Sequence, residues 1–232
     1  MKRFLIFSLL LCFCSANAQT LDHSKWTEIL QLHVSNTGKV NYKELLSNRE
    51  PLNKYLEVLA LNAPKNNWSN DEKMAFWINA YNAYTIQLIL DNYPTESIKD
   101  ISDPWGQTFF KIGNKMMSLN TIEHKILRPM GDSRIHFAIV CASESCPKLL
   151  NCAYEAESLT NQLDQAAKEF INDASKNNLT PSNITMSKIF KWFKSDFPKE
   201  DAFIKYLNKY STVTISSDPK INYKTYEWAL NE

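Results

Sequence analysis

The chain has 232 residues, with 26 Lys and Arg against 25 Asp and Glu, and 12% of it is aromatic. A balance of +1 leaves no basic footprint for nucleic acid or anionic lipid, and the aromatic content is that of a packed globule, not of a disordered segment. Four glycines (Gly38, Gly106, Gly113 and Gly131) cannot build a Gly-rich phosphate loop, and the absence of GxGxxG, GxxxxGKS/T, HExxH, CxxC and GxSxG argues against the corresponding enzyme classes.

The chain opens "MKRFLIFSLLLCFCSANAQT". Lys2 and Arg3 precede an apolar run, Phe4 to Cys14, broken only by Ser8, and Ala16-Asn17-Ala18 forms a small-x-small cleavage signal. That pattern is a secretory signal peptide over residues 1–18, too short to span a membrane. Leu11 before Cys12 and Phe13 before Cys14 exclude a lipoprotein signal, which needs a small residue there. No later run of eighteen apolar residues follows, so no membrane span is expected. The expectation is an exported protein, periplasmic or extracellular, with residues 19–232 as a single domain. Loss of Lys2 and Arg3 leaves 24 basic against 25 acidic side chains. Cys141, Cys146 and Cys152 remain, an odd number, and one disulfide plus one free thiol is the simplest partition.

"SKWTEILQLHV" (Ser24–Val34) predicts a helix capped by Ser24, with Trp26, Ile29, Leu30 and Val34 on one face. "KVNYKELL" leads into a short helix. "PLNKYLEVLALN" (Pro51–Asn62) predicts another, with proline in its first turn. The longest prediction is Ser69 to Tyr93, opened by a Ser69–Glu72 capping box and apolar on nearly every face from Met74 to Leu90. Such a helix belongs in the middle of the fold.

"FFKIGNKMMSL" (Phe109–Leu119) reads as a hairpin about Gly113-Asn114. "NTIEHKILRP" reads as a helix with Asn120 and Glu123 in capping-box spacing. "IHFAIVC" is a continuous apolar run, expected to be an internal strand. Tyr154–Ala174 predicts an amphipathic helix with Leu159, Leu163, Ala166, Ala167, Phe170 and Ile171 inward. The tail predicts a short strand near Ile184, the segment "SKIFKWFKSDF", a helix near Lys199–Tyr210 and an extended end, "INYKTYEWALN". Helices followed by short mixed strands imply an α+β fold, helix-rich, with a long buried central helix and a small, mainly antiparallel sheet.

The segments "FWINAYNAYTIQLIL" and "RIHFAIVCASESCPKL" resemble the domain of unknown function 547 family. "GKVNYKEL", "SLNTIEHKILRP", "AAKEFIND", "SKIFKWFKSDF" and "YEWALN" extend the likeness over roughly Val34 to Asn231. The family carries no established activity. The resemblance also suggests a similarity to papain-like and transglutaminase-like thiol enzymes. In the papain-like order cysteine precedes histidine, whereas here His136 precedes Cys146, so such a site would be permuted.

Cys146 is the residue where local chemistry favours a reactive thiol. Pro147 suits a first helical position, which would place Cys146 at a helix N-terminus, where partial positive charge stabilises a thiolate. Ser143 and Ser145 could donate further hydrogen bonds. The competing account is a cystine. In a straight strand Cys141 and Cys146 would lie about 16 Å apart, so "ASES" must turn if they pair. Cys146–Cys152 and Cys141–Cys152 are the alternatives.

His136 would serve Cys146 as general base only if the chain folds back; otherwise it is a strand-end histidine bonded to backbone. Asn79 and Asn82, three apart on the central helix, either clamp a neighbouring segment or orient a catalytic histidine. The clamp is the simpler account, because most side-chain amides bond backbone. Trp77 and Tyr81 flank them as core or pocket wall. Glu123 is accounted for by the capping box. His124, with Arg128 four residues on, marks a face that is either solvated or able to hold an anion. His23 and His33 lie outside the motifs, and four scattered histidines give no metal signature.

No cofactor is expected, and the substrate or protein partner is open. Two functions follow. One is a thiol-dependent hydrolase or acyltransferase with Cys146, His136 and Asn79 or Asn82. The other is a non-catalytic binding module in which the same cysteine is a structural disulfide. Redox work by Cys141 and Cys146 ranks behind both, because the spacing is not CxxC.

Overall fold

The computed structural model describes residues 21–232. The expected signal peptide over residues 1–18 lies outside the described residues. Helix α1 (Ser24–His33) buries Trp26, Ile29, Leu30 and His33. Ser24 does not cap it: Ser24 is already helical, and its N–H donates to Asp22 Oδ1 at 2.8 Å. Helix α2 (Tyr42–Ser47) is capped by Asn41, whose side chain accepts from Glu44 N–H. Helix α3 (Glu50–Leu61) carries proline in its first turn and stacks Tyr55 on Trp26, rings 5.3 Å apart.

Between α1 and α2, Gly38 holds φ at +83°, where a Cβ would meet Leu149 N at 3.0 Å and Lys148 Cα at 3.1 Å. Both the backbone conformation and the close approach require glycine. Gly38→Ala is expected to lose about 2 kcal/mol, read as a lower urea midpoint at unchanged slope.

Helix α4 (Asn70–Asp91) has the expected capping box, with Ser69 and Glu72 bonding reciprocally. It is buried on every side, from Met74 through Leu90, and forms the axis of the molecule. The hairpin follows as expected: β1 (Phe110–Ile112) pairs antiparallel with β2 (Lys115–Met117), and Gly113 takes φ +59° in the turn.

Three expectations fail in the middle of the chain. Asn120 makes no cap bond; Ser118 and Thr121 cap each other instead, with Thr121 N–H on Ser118 Oγ at 3.1 Å. Thr121–Leu127 then forms a π-helical turn. "HFAIVC" is not a strand: Ser133–Phe137 is a 3₁₀ turn, and the rest is an irregular buried segment. Its backbone needs no ladder, because Asn82 on α4 takes Ala138 C=O and Val140 N–H, each at 3.0 Å. Nor does a helix start at Pro147; the chain runs irregularly from 147 to 155. Proline at a first helical position permits a helix but does not drive one.

Helix α5 (Leu159–Asn172) buries the six residues its periodicity assigns inward. Strands β3 (Asn178–Leu179) and β4 (Asn183–Met186) pair antiparallel; α6 (Ile189–Trp192) and α7 (Asp201–Tyr210) follow, and β5 (Lys220–Tyr223) adds parallel to β4. The architecture is α+β, with small, mostly antiparallel sheets. Two apolar clusters pack the molecule, one around α4 and one around Phe137, α5 and α7. Among the described residues, no helix is long and apolar enough to cross a membrane.

The last residues form a strap. Leu230 N–H bonds Glu96 C=O at 3.0 Å, Glu144 N–H bonds Ala229 C=O at 2.8 Å, and Val40 N–H bonds Asn231 C=O at 2.8 Å. The strap thus ties the segment after α4, the cysteine loop and the α1–α2 connection together.

Candidate functional site

A cavity of about 340 Å³ opens at the seam of the two clusters. Tyr81, Glu123, His124, His136, Cys141 and Cys146 all line it. Trp105, Trp192, Phe193, Tyr226 and Trp228 complete its aromatic wall.

The two cysteines approach because "ASES" turns. Ala142 takes φ +53°, a left-handed conformation that costs a residue with a Cβ about 1–3 kcal/mol. The Cα atoms come within 6.1 Å, and the sulfurs lie at bonding distance. Cys152 is free and half-buried. Of the three pairings open to the sequence, Cys141–Cys146 is the one the fold brings together.

With no helix at Pro147, the helix-terminus account of Cys146 falls. Its sulfur has other donors: Cys141 N–H at 2.8 Å, Ser143 Oγ at 3.4 Å and Tyr226 Oη at 3.4 Å. Ser145 does not reach the sulfur. Its hydroxyl accepts Glu227 N–H at 2.8 Å and fastens the strap to the loop.

His136 is 2% exposed, and its Nε2 meets Asp196 Oδ2 at 2.8 Å. Asp196 also receives Arg128 through Nε at 2.6 Å and Nη2 at 2.7 Å. Arg128, chiefly by these bonds, holds the Asp196 carboxyl well below the usual range, so it is an acceptor only. Nε2 of His136 therefore carries the proton. Nδ1 of the neutral ring has no hydrogen-bond partner among the described residues. Burial pushes the imidazole down to about 4 against the pull of Asp196, and the ring stacks on Phe193 at 4.0 Å. Neither ring nitrogen bonds a cysteine sulfur.

His124 Nδ1 lies 3.0 Å from Arg128 Nη1. Arginine can only donate, so Nδ1 accepts and the ring is neutral; burial and Arg128 both lower its pKa. His124 is half-buried and lines the cavity. Glu123, freed from capping, is 6% exposed and accepts Tyr81 Oη at 3.2 Å. Burial pushes its carboxyl up to about 7. In an α-helix, adjacent residues such as Glu123 and His124 point about 100° apart, yet here both line the cavity. The π turn is wider, so neighbouring side chains diverge by a smaller angle, and such turns recur at functional sites.

Asn79 and Asn82 do not line the cavity. Asn79 grips Tyr154 through both its N–H (2.9 Å) and its C=O (2.8 Å), and Asn82 grips Ala138 and Val140. Both are clamps that hold the walls to α4. Trp77 is half-buried edge-on to Phe76, rings 5.0 Å apart, and also lies off the cavity.

Sequence reasoning passed over Asp196 and the aromatic wall. Asp196, Trp192 and Phe193 sit in "SKIFKWFKSDF", and Tyr226 and Trp228 sit in "YEWALN". Both segments carry the family resemblance, which was the available signal. Among the described residues, no group of three or more His, Cys, Asp or Glu is arranged to hold a metal ion.

The fold and cavity define an α+β protein built around a cysteine pair, a buried carboxyl and an Asp–His unit braced by arginine. Residues 65–171 match the family described as "Protein of unknown function, DUF547". No curated protein and no solved structure matches the chain.

Proposed function

We propose that the protein is a thiol-dependent hydrolase or acyltransferase, with Cys146 as nucleophile and His136 as general base. The observation that carries this reading is His136, held by Asp196 through Nε2 with Nδ1 left without a hydrogen-bond partner among the described residues, in the lining of the cavity that Cys146 also lines. Base, orienting carboxylate and nucleophile are the parts of an activated-thiol site, and their contacts are commonly loose before substrate binds. Asn79 and Asn82 support the walls and take no part in the chemistry.

In this reading the paired sulfurs are first reduced: two external thiols become one disulfide, and Cys141 and Cys146 each gain a hydrogen. His136 then takes the Cys146 proton. The sulfur attacks an acyl carbon, and the leaving amine or alcohol departs with that proton. Water or a second nucleophile cleaves the thioester and restores the thiol. The Cys141 N–H donated to Cys146 Sγ favours its thiolate, while the Ser143 and Tyr226 hydroxyls lie within reach of both sulfurs. The leader-like first 18 residues support export, and a disulfide resting state suits an oxidising compartment.

Iodoacetamide labelling with intact-mass detection tests this. Before reduction, labelling is expected at Cys152 alone. After mild reduction at pH 7, Cys146 is expected to label about tenfold faster than Cys141 or Cys152, as a stabilised thiolate should. Labelling confined to Cys152 after verified reduction would sink the enzyme reading. The second reading, a non-catalytic binding module, then stands, supported by the same sulfurs at bonding distance in a loop tied down by the strap.

A further inference from the structure

Glu123 is the one carboxyl among the cavity-lining residues, and no lysine or arginine lines the cavity. Burial lowers the pKa of both lining histidines, with Arg128 adding to the effect at His124 and Asp196 opposing it at His136. Behind the wall, the charges of Arg128 and Asp196 cancel in a two-bonded pair. Once Glu123 is ionised, above about pH 7, the cavity therefore presents one buried negative charge to its contents.

Much of the surrounding surface is aromatic. Tyr81, Trp105, Tyr226 and Trp228 line the cavity together with Glu123, and Tyr81 donates its hydroxyl to that carboxyl. Trp105 and Trp228 meet edge to face at 5.7 Å, and Tyr226 and Trp228 lie 4.6 Å apart. Trp228 already holds a cation: Lys99 Nζ sits 5.3 Å from its ring centroid. Ring faces attract cations electrostatically, more so where water is excluded. An anionic ligand would meet no positive group and would leave Glu123 facing a like charge.

Glu123 also has spare capacity to accept. Oε2 takes the Tyr81 hydroxyl, while Oε1 has no hydrogen-bond partner among the described residues and is not sealed from the cavity. A free acceptor asks for an N–H donor, which a primary ammonium has and a quaternary one lacks.

We infer that this cavity binds a primary ammonium group, with Glu123 Oε1 as its acceptor and Tyr81, Trp105 and Trp228 as its aromatic walls. This names the substrate class of the cavity used in the proposed function but needs none of its sulfur chemistry. The oxidised protein suffices, so failure here and failure of the thiol reading are separable.

Three tryptophans line the cavity, so intrinsic fluorescence reports occupancy. Titration at pH 8 would compare n-butylammonium, its neutral counterpart butan-1-ol, and tetramethylammonium. Butylammonium is expected to bind about tenfold or more tighter than butanol, as for a charge-assisted hydrogen bond. In Glu123→Gln, whose fold is verified by near-ultraviolet circular dichroism, that advantage is expected to vanish. Equal binding of butylammonium and butanol by the wild type would overturn the inference without any variant. So would tetramethylammonium binding as tightly as butylammonium, since the rings alone would then account for recognition.

Discussion

Replacing Asn82 by alanine is expected to cost the fold about 3–5 kcal/mol. Asn82 is 1% exposed, and both ends of its amide hold backbone: Nδ2 donates to Ala138 C=O and Oδ1 accepts from Val140 N–H. Truncation leaves a donor and an acceptor buried without partners, each costing about 1–3 kcal/mol, and opens a void beside them. Asn82→Asp is expected to be at least as damaging at pH 7. It retains an acceptor for Val140, loses the donor for Ala138, and places a charge in the core. The measurement is urea unfolding followed by circular dichroism. A loss below about 1 kcal/mol for Asn82→Ala would mean that the segment from Ala138 to Val140 finds its bonds elsewhere. The same segment lies between His136 and Cys141, so the variant is also expected to blunt binding in the cavity.

The second large effect is a gain. Glu123→Gln is expected to stabilise the protein by roughly 3 kcal/mol at pH 8 and by almost nothing at pH 4. Burial raises the carboxyl from 4.5 to about 7 in the fold. Below pH 4.5 the folded and unfolded states are both protonated, and the group contributes nothing. Between pH 4.5 and 7 the folded state keeps a proton that the unfolded state has lost, so stability falls as pH rises; above 7 the full penalty is present. Tyr81 from α4, Arg128 at the end of the π turn, Asp196 after α6 and Tyr226 from the strap act on the carboxyl, and of these Tyr81 and Arg128 oppose the rise while Asp196 adds to it. Glutamine keeps an acceptor for Tyr81 and removes the charge. Unfolding free energies of both proteins at pH 4, 6 and 8 give the answer, and curves that run parallel would sink it. Saturating butylammonium is expected to narrow the gap at pH 8, because a bound cation favours the ionised wild-type carboxylate.

How far the sequence discloses this molecule depends on where each bond partner lies. Helix α4, its capping box, the Gly113 hairpin and the buried face of α5 are set by residues three or four apart, and periodicity reports them. The segment "HFAIVC" differs. An apolar run without period is ambiguous, and Asn82, 56 residues before Ala138, supplies the bonds that a strand would have taken from neighbours. Cys146-Pro147 carries a helix-opening signature, but Tyr154 is pinned to Asn79, 75 residues away, and the chain stays irregular. The π turn arises where Glu123 turns inward to Tyr81, and a short-range capping pattern cannot anticipate that. His136 was legible as a candidate, whereas Asp196, 60 residues on, was not. Pattern reading sees residues near in sequence; the cavity is assembled from residues near only in space.

The strap makes the cavity wall a shared part. Tyr226 and Trp228 form part of that wall, and Ala229, Leu230 and Asn231 bond the cysteine loop and the residues beside α1 and α4. The wall is fastened to three distant parts of the chain at once, so it cannot shift alone. A displacement of the cysteine loop is carried to the α1–α2 connection and to the segment after α4, and the cavity keeps or loses its shape as one piece.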